Sequence, residues 1–336
     1  MTSIGGCIVT SEINDIPECL YHRLPEIEDG TINLLQFSVN PAMISSSLKK
    51  MTALTVRSIK EMITSKNLSL ILHGKYVYNF CRKDVASHID ALIHEVGWAS
   101  QLGCNVVIHQ GKNISSAKMT KLEAINNYVH NVSEVIDQTV NSDVMLLLEN
   151  SACQGTELGS SLDELAYIYN QFNDEAKERI GFCIDTCHIF VAGELDVRVK
   201  AEVANFFTKF DQLIGIDKLK VIHFNDSGAP FGAKRDIHGD IMGGYISNRL
   251  LGGSIEGLKY IAQFAAQHKV PLVFETPCVL AELVEEQYVF QYQIVKHWID
   301  KLPLSEKDEI VARLIEKHTV DYYYQSKSKK NINEFK

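Results

Sequence analysis

The 336-residue chain predicts an α/β protein: a closed (β/α)8 barrel followed by a C-terminal helical, Lys-rich extension. Two observations carry this expectation. Short runs rich in β-branched and aliphatic residues recur about every 30 to 45 residues, and the stretches between them have helical periodicity. The candidate strands are Ile4–Val9, Asn33–Ser38, Leu68–His73, Asn105–His109, Val144–Glu149, Gly181–Asp185, Lys220–Phe224 and Pro271–Glu275. Five or more consecutive βα units imply a parallel sheet with right-handed crossovers, and eight allow it to close on itself. An open doubly wound sheet usually shows a Gly-rich phosphate loop after an early strand, and none is present.

Taken in order, the opening MTSIGGCIVTSE has no basic region and only a brief apolar stretch, so it reads as a strand, and export is not expected. Between the third and fourth strands, Val85, Ile89, Leu92, Val96 and Ala99 form one apolar stripe over Asp84–Leu102, with Gly103 as the stop. Ser161 with Glu164 makes a capping box for a helix running to about Arg179, followed by Gly181. The barrel is assigned to residues 1–303 and the extension to 304–336. Within the extension Ser305–His318 can form a helix, and the end, QSKSKKNINEFK, is expected to be a solvated, partly disordered tail. A basic arm that touches DNA backbone is the other reading of that end.

Apolar residues make up 46% of the chain and charged residues 22%, an ordinary globular mix, and no apolar run is long enough to cross a bilayer. Eight cysteines without a CxxC pair suggest an intracellular, reducing environment. Cys183 and Cys187 flank Asp185, yet strand alternation places Cys183 one pleat deeper, in the core. A net charge of −9 argues only weakly against nucleic acid, because three divalent cations would cancel about two thirds of it at the place a phosphate would sit.

In LSLILH, NVVIH, VMLLLE, GFCID and PLVFE an apolar run delivers an ionisable group to the C-terminal rim of the barrel, where such folds place active sites. Asp, Glu and His are about a sixth of the residues, so five strands all ending in these types is about a one-in-ten-thousand coincidence. Nine groups belong to this set: His73, His109, Glu149, Asp185, His188, His223, Asp236, His238 and Glu275. Asp185 and His188 stand three apart where a strand turns, and Asp236 and His238 stand two apart on an extended segment, so each pair can face one cavity. Four crowded carboxylates demand cations, and nine donors suit two or three metal ions rather than one. Oxygen and imidazole donors without thiolates suit zinc, manganese or iron, with zinc leading.

The segments HGKY, VVIHQGKN, LLLENSACQG, GFCIDTCHIFVAG, IHFNDS, the Asp236-x-His238 pair and PLVFET, in this order and spacing, resemble endonuclease IV. That is the metal-dependent apurinic/apyrimidinic (AP) endonuclease family of DNA base excision repair, and the resemblance spans about residues 4 to 300. It implies a TIM barrel with three metal ions, usually zinc, with manganese as an alternative at one site. By the resemblance, His73, His109 and Glu149 hold the first ion. Glu149 bridges to a second held by Asp185, His223 and Glu275, and His188, Asp236 and His238 hold the third. A metal-activated hydroxide then cleaves the phosphodiester 5′ to an abasic site, leaving a 3′ hydroxyl and a 5′ deoxyribose phosphate, with Glu149 and Glu275 as catalytic residues. Repair of 3′ phosphate and phosphodiester blocks is implied too.

Tyr76 and Val77 resemble the family's inserted side chains, and Lys112, Lys234 and Arg235 lie beside ligand segments where they can meet phosphate. The departures are Val77 in place of a more usual Leu, Lys75 in place of a more usual Pro, and no Arg in the loop Asn40-Pro41-Ala42. The expected partner is double-stranded DNA with abasic sites or blocked 3′ ends, met by a monomer with no membrane association. A sugar isomerase or epimerase of the same barrel type is the rival reading, with Glu149, Asp185, His223 and Glu275 around one ion. A non-catalytic DNA-binding barrel is a third.

Overall fold

The computed structural model describes residues 2–113, 119–280 and 287–333. Eight parallel strands close into a barrel: β1 Ile4–Thr10, β2 Leu34–Val39, β3 Ser69–His73, β4 Asn105–His109, β5 Leu146–Glu149, β6 Ile180–Asp185, β7 Leu219–His223 and β8 Leu272–Phe274. Each strand pairs with its sequence neighbours, and β8 closes on β1 through Ile4↔Leu272. The boundaries lie within about two residues of those read from the sequence.

Alternation along the strands builds the interior. Leu34, Ile71, Val107, Leu147, Cys183, Val221 and Val273 pack together as an apolar floor, with Cys7 and Met145 against it. Two positions further along each strand the inward sites are Gln36, His73, His109, Glu149, Asp185, His223 and Glu275. The ladder holds these levels in step, pairing His109 with Glu149 and Asp185 with His223. Outward residues such as Phe37, Leu72, Val106, Leu148, Phe182 and Phe274 join the larger core under the helices. Cys183 is thus a core residue, as its place in the strand suggested.

Helix Ala86–Leu102 buries its expected stripe and ends at Gly103 in the left-handed conformation, φ 71°. The helix expected from Ser161 to about Arg179 is instead two, Leu162–Asn170 and Asp174–Glu178. Asn173 makes the break, because its side chain caps the second helix by accepting from Ala176 N at 2.7 Å. Ser161 accepts from Glu164 N at 3.2 Å, but the Glu164 carboxylate turns to Lys121 at 3.0 Å, so that box is half made. Gly181 lies inside β6, where a Cβ would come within 2.9 Å of Leu147 Cδ2, so close packing and not helix termination explains it.

The C-terminal extension is a helix, Glu306–Asn333. The helix runs past His318, and residues 334–336 of the expected Lys-rich tail lie outside the described residues. Its first half is fastened to the barrel: Arg249 donates twice to the Glu316 carboxylate at 2.8 Å, and Asn248 Nδ2 donates to Glu316 O at 2.8 Å and Thr319 Oγ1 at 3.2 Å. Among the described residues no helix is long and apolar enough to cross a membrane.

Since the floor is what closes the barrel, Leu147→Ala should destabilise the protein by about 2–5 kcal/mol. Equilibrium urea unfolding checks this.

Candidate metal centre

The polar level above the apolar floor forms the base of a cleft of about 230 Å³, bordered by Pro41 and Tyr76. Six of the nine sequence-identified groups stand at or just beyond strand ends: His73 on β3, His109 on β4, Glu149 on β5, Asp185 on β6, His223 on β7 and Glu275 after β8. His188 arrives from helix Thr186–Ala192, whose first turn Asp185 caps by accepting from His188 N at 2.8 Å. Asp236 and His238 come from the loop after β7, held by a short antiparallel ribbon that pairs Ser227 with His238.

All nine converge. His73 Nε2 and His109 Nδ1 lie 3.3 and 3.4 Å from Glu149 Oε2. His223 Nδ1 lies 2.8 Å from Glu149 Oε1, 3.1 Å from Glu275 Oε2 and 3.8 Å from Asp185 Oδ2. Asp236 Oδ1 lies 3.2 Å from His188 Nε2 and 3.3 Å from His238 Nε2. Donor atoms within 4.8 Å of one another include His73–His109–Glu149, His73–His223–Glu275 and His188–Asp236–His238.

Donor chemistry favours divalent cations here. Glu149 and Asp185 are fully buried, and among the described residues the ion-pair partners of Glu149, Asp185, Asp236 and Glu275 are all histidines. No lysine or arginine among the described residues shares the load. Three histidines donate Nδ1–H to a backbone carbonyl, His73 to Gly74 at 2.8 Å, His188 to Asn150 at 2.9 Å and His238 to Glu275 at 3.3 Å. That tautomer turns Nε2 toward the cluster, the arrangement that metal-binding imidazoles adopt. Cys183 and Cys187 lie within reach of two further groupings. Burial pushes the Cys183 thiol up to about 12 and Cys187 well above its ordinary value, so both keep their protons and pack as core.

The imidazoles differ in charge. Burial lowers His109 to about 4 in spite of nearby Glu149, leaving it neutral and ready to coordinate. Burial also disfavours the charged forms of His188 and His238, but Asp185 and Asp236 outweigh it. They raise His238 to about 9 and His188 well above the ordinary range.

Sequence reasoning missed the residues that orient this set. Gln36 on β2 accepts from His223 Nε2 at 2.9 Å and donates to Glu275 Oε1 at 2.8 Å. Asn225 Nδ2 donates to Asp185 Oδ2 at 2.7 Å, while its Oδ1 accepts from Glu275 N at 2.8 Å. Asn150 Oδ1 accepts from Asp185 N at 2.6 Å. The available signal was spacing: Gln36 is two positions beyond an inward Leu34, and Asn225 two beyond His223.

Of the expected DNA contacts, Tyr76 is 60% exposed and borders both this cleft and an adjoining one of about 590 Å³. Val77 and the exposed Lys112 line the second cleft. Lys234 and Arg235 are exposed on the loop that carries Asp236.

A family model described as a xylose isomerase-like TIM barrel matches residues 35–252. A protein of Acanthamoeba polyphaga mimivirus assigned as an endonuclease 4 is 37% identical over 71% of this chain and 77% of its own length. Apurinic-apyrimidinic endonuclease 1 of Saccharomyces cerevisiae is 32% identical over 61% of this chain and 53% of its own. Among solved structures, endonuclease IV from Thermus thermophilus superposes with a TM-score of 0.71 over 89% of this chain and 99% of that one, at 18% identity.

Two measurements follow from the geometry. Removing the Asn225 amide frees Asp185 and Glu275 together, so Asn225→Ala should weaken zinc affinity about 10- to 100-fold in a chelator-competition titration. A raised imidazole pKa means a proton competes with the cation up to a higher pH, so that proton must leave on binding. Zinc affinity should therefore strengthen from about pH 6.5 toward 9 as His238 deprotonates. Calorimetry at pH 7 in buffers of different ionisation heat should register proton release.

Proposed function

Because the chain belongs to the endonuclease IV family of metal-dependent AP endonucleases, we propose that it incises duplex DNA on the 5′ side of an abasic nucleotide. The products would be a 3′ hydroxyl and a 5′ deoxyribose phosphate, and the same site would clear 3′ phosphate and phosphodiester blocks. The observation that carries this reading is the convergence of nine donors whose carboxylates have, among the described residues, only imidazoles as ion-pair partners.

His73, His109 and Glu149 would hold one ion, Glu149 would reach a second with Asp185, His223 and Glu275, and His188, Asp236 and His238 would hold a third. Zinc fits this donor set, with manganese as the alternative at one position. When bound, such cations lower the pKa of water toward neutrality and neutralise charge on the oxygens of a phosphodiester.

The protein's own groups do the rest. Gln36 holds Glu275 Oε1 at 2.8 Å, which leaves Oε2 beside His223 Nδ1 and fixed for proton transfer. Glu149 is anchored on both oxygens and cannot swing away. Tyr76 stands out from the loop after β3, where it would enter the space left by a missing base, with Val77 as a half-buried support behind it. Lys112, Lys234 and Arg235 would supply positive charge for backbone phosphates on a protein of net charge −9.

The isomerase reading shares the barrel and needs only Glu149, Asp185, His223 and Glu275. It leaves His73, His109, His188, Asp236 and His238 without work, so the nuclease reading is preferred. Metal-replete protein should nick a duplex carrying one abasic site, and excess chelator should abolish the nick. Elemental analysis should find about three metal ions per chain. Absence of nicking together with a single bound ion would overturn the proposal.

A further inference from the structure

The loop that displays Tyr76 stands on a lysine shut away from solvent. Lys75 is 1% exposed, and each of its three ammonium hydrogens has a partner: Val39 O, Ser46 Oγ at 2.8 Å and Glu95 Oε1 at 3.3 Å. Glu95 comes from helix Ala86–Leu102 and is fully buried. Its Oε1 also accepts from Ser47 Oγ at 2.8 Å, and its Oε2 accepts from Tyr78 OH at 2.9 Å. One helical turn away Trp98 lies with its ring 6.0 Å from Lys75 Nζ and donates its indole N–H to Lys49 O at 3.0 Å.

Three separate pieces of chain meet in this network. The first is the end of β2 and the loop after it, through Val39, Ser46, Ser47 and Lys49. The second is the loop after β3, through Lys75 and Tyr78, and the third is the helix itself. Apolar side chains of like volume would stabilise such a spot at least as well as an ion pair does. What a fully bonded charged network adds is a single defined geometry. Both loops it joins border the cleft over the nine donors, one through Pro41 and the other through Tyr76.

We infer that the buried Lys75–Glu95 pair is a positioning device that locks the Tyr76–Val77 loop to the loop after β2, so that both meet the duplex as one preformed edge. This rests on the reading that Tyr76 enters DNA. Preformed loops pay their ordering entropy at folding and not at binding, so loosening them should appear in KM and leave the chemical step alone.

Either single charge deletion strands its partner inside the protein, so the decisive variant is the double replacement Lys75→Met/Glu95→Leu, which removes both charges. Hydrogen exchange on the DNA-free protein should speed up at least about tenfold over residues 40–48 and 74–79 while the barrel strands stay protected. With abasic duplex, KM should rise about five- to tenfold and kcat should change less than about twofold. Tyr78→Phe removes the bond to Glu95 Oε2, and Ser46→Ala removes the Lys75 contact together with the hydroxyl's own bonds to Met43 O and Val39 O. Tyr78→Phe in particular should shift both readouts the same way by a smaller amount, which keeps the test decisive even when the double variant does not fold. Folded variants with unchanged exchange in both loops and unchanged KM would overturn the inference, even with a lowered melting temperature, since the pair would then serve stability alone. Wild-type protein that fails to incise abasic DNA would remove the functional reading, and the DNA-free exchange measurement would still decide whether the clamp exists.

Discussion

Negative charge placed where water is scarce is the constraint around which this protein is organised. Glu149 and Asp185 have no exposed surface, and the positive groups near them are imidazoles. Such a cluster is tolerable only when its lone pairs are satisfied and its charge is balanced. Gln36, Asn150 and Asn225 provide fixed amide partners, and backbone carbonyls hold the outer nitrogens of His73, His188 and His238. Strand register and chemistry are therefore one problem: a one-residue slip in β5 would exchange Glu149 for an outward Leu148 and empty the centre of the cluster.

Much of the site was legible because a parallel barrel translates linear pattern into position. An apolar run that stops at an ionisable residue puts that residue at the rim, and His73, His109, Glu149, Asp185, His223 and Glu275 all follow that rule. His188, Asp236 and His238 lie off the strands, but their spacing from a strand end or along an extended segment still placed them. Gln36 and Asn225 escaped because amides do not stand out by charge, and their role exists only through partners contributed by other strands. The capping function of Asn173 was equally hidden, since a helix break of three residues leaves the apolar periodicity almost intact. Lys75 shows the same limit from the other side. A lysine in a loop reads as surface, and nothing near it in sequence announces Glu95 or Ser46 as partners.

The two functional layers of the mouth obey different rules. Donors on strand ends are held by ladder hydrogen bonds and an apolar floor, so their geometry is inherited from the barrel itself. The loops after β2 and β3 hold no such ladder, and the departures from the family pattern, Lys75, Val77 and Asn40-Pro41-Ala42, fall there. A buried ion pair under Tyr76 is one way for a loop without regular structure to acquire the definition that a strand has by default.

The closed floor of Leu34, Ile71, Val107, Leu147, Cys183, Val221 and Val273 has a further consequence for traffic. With the barrel filled by apolar side chains from below, the donors are reached through the two adjoining clefts at its C-terminal mouth, the side a bound duplex would cover. A nucleic acid seated there would act as a cork, slowing the escape of whatever the donors hold until the strand departs.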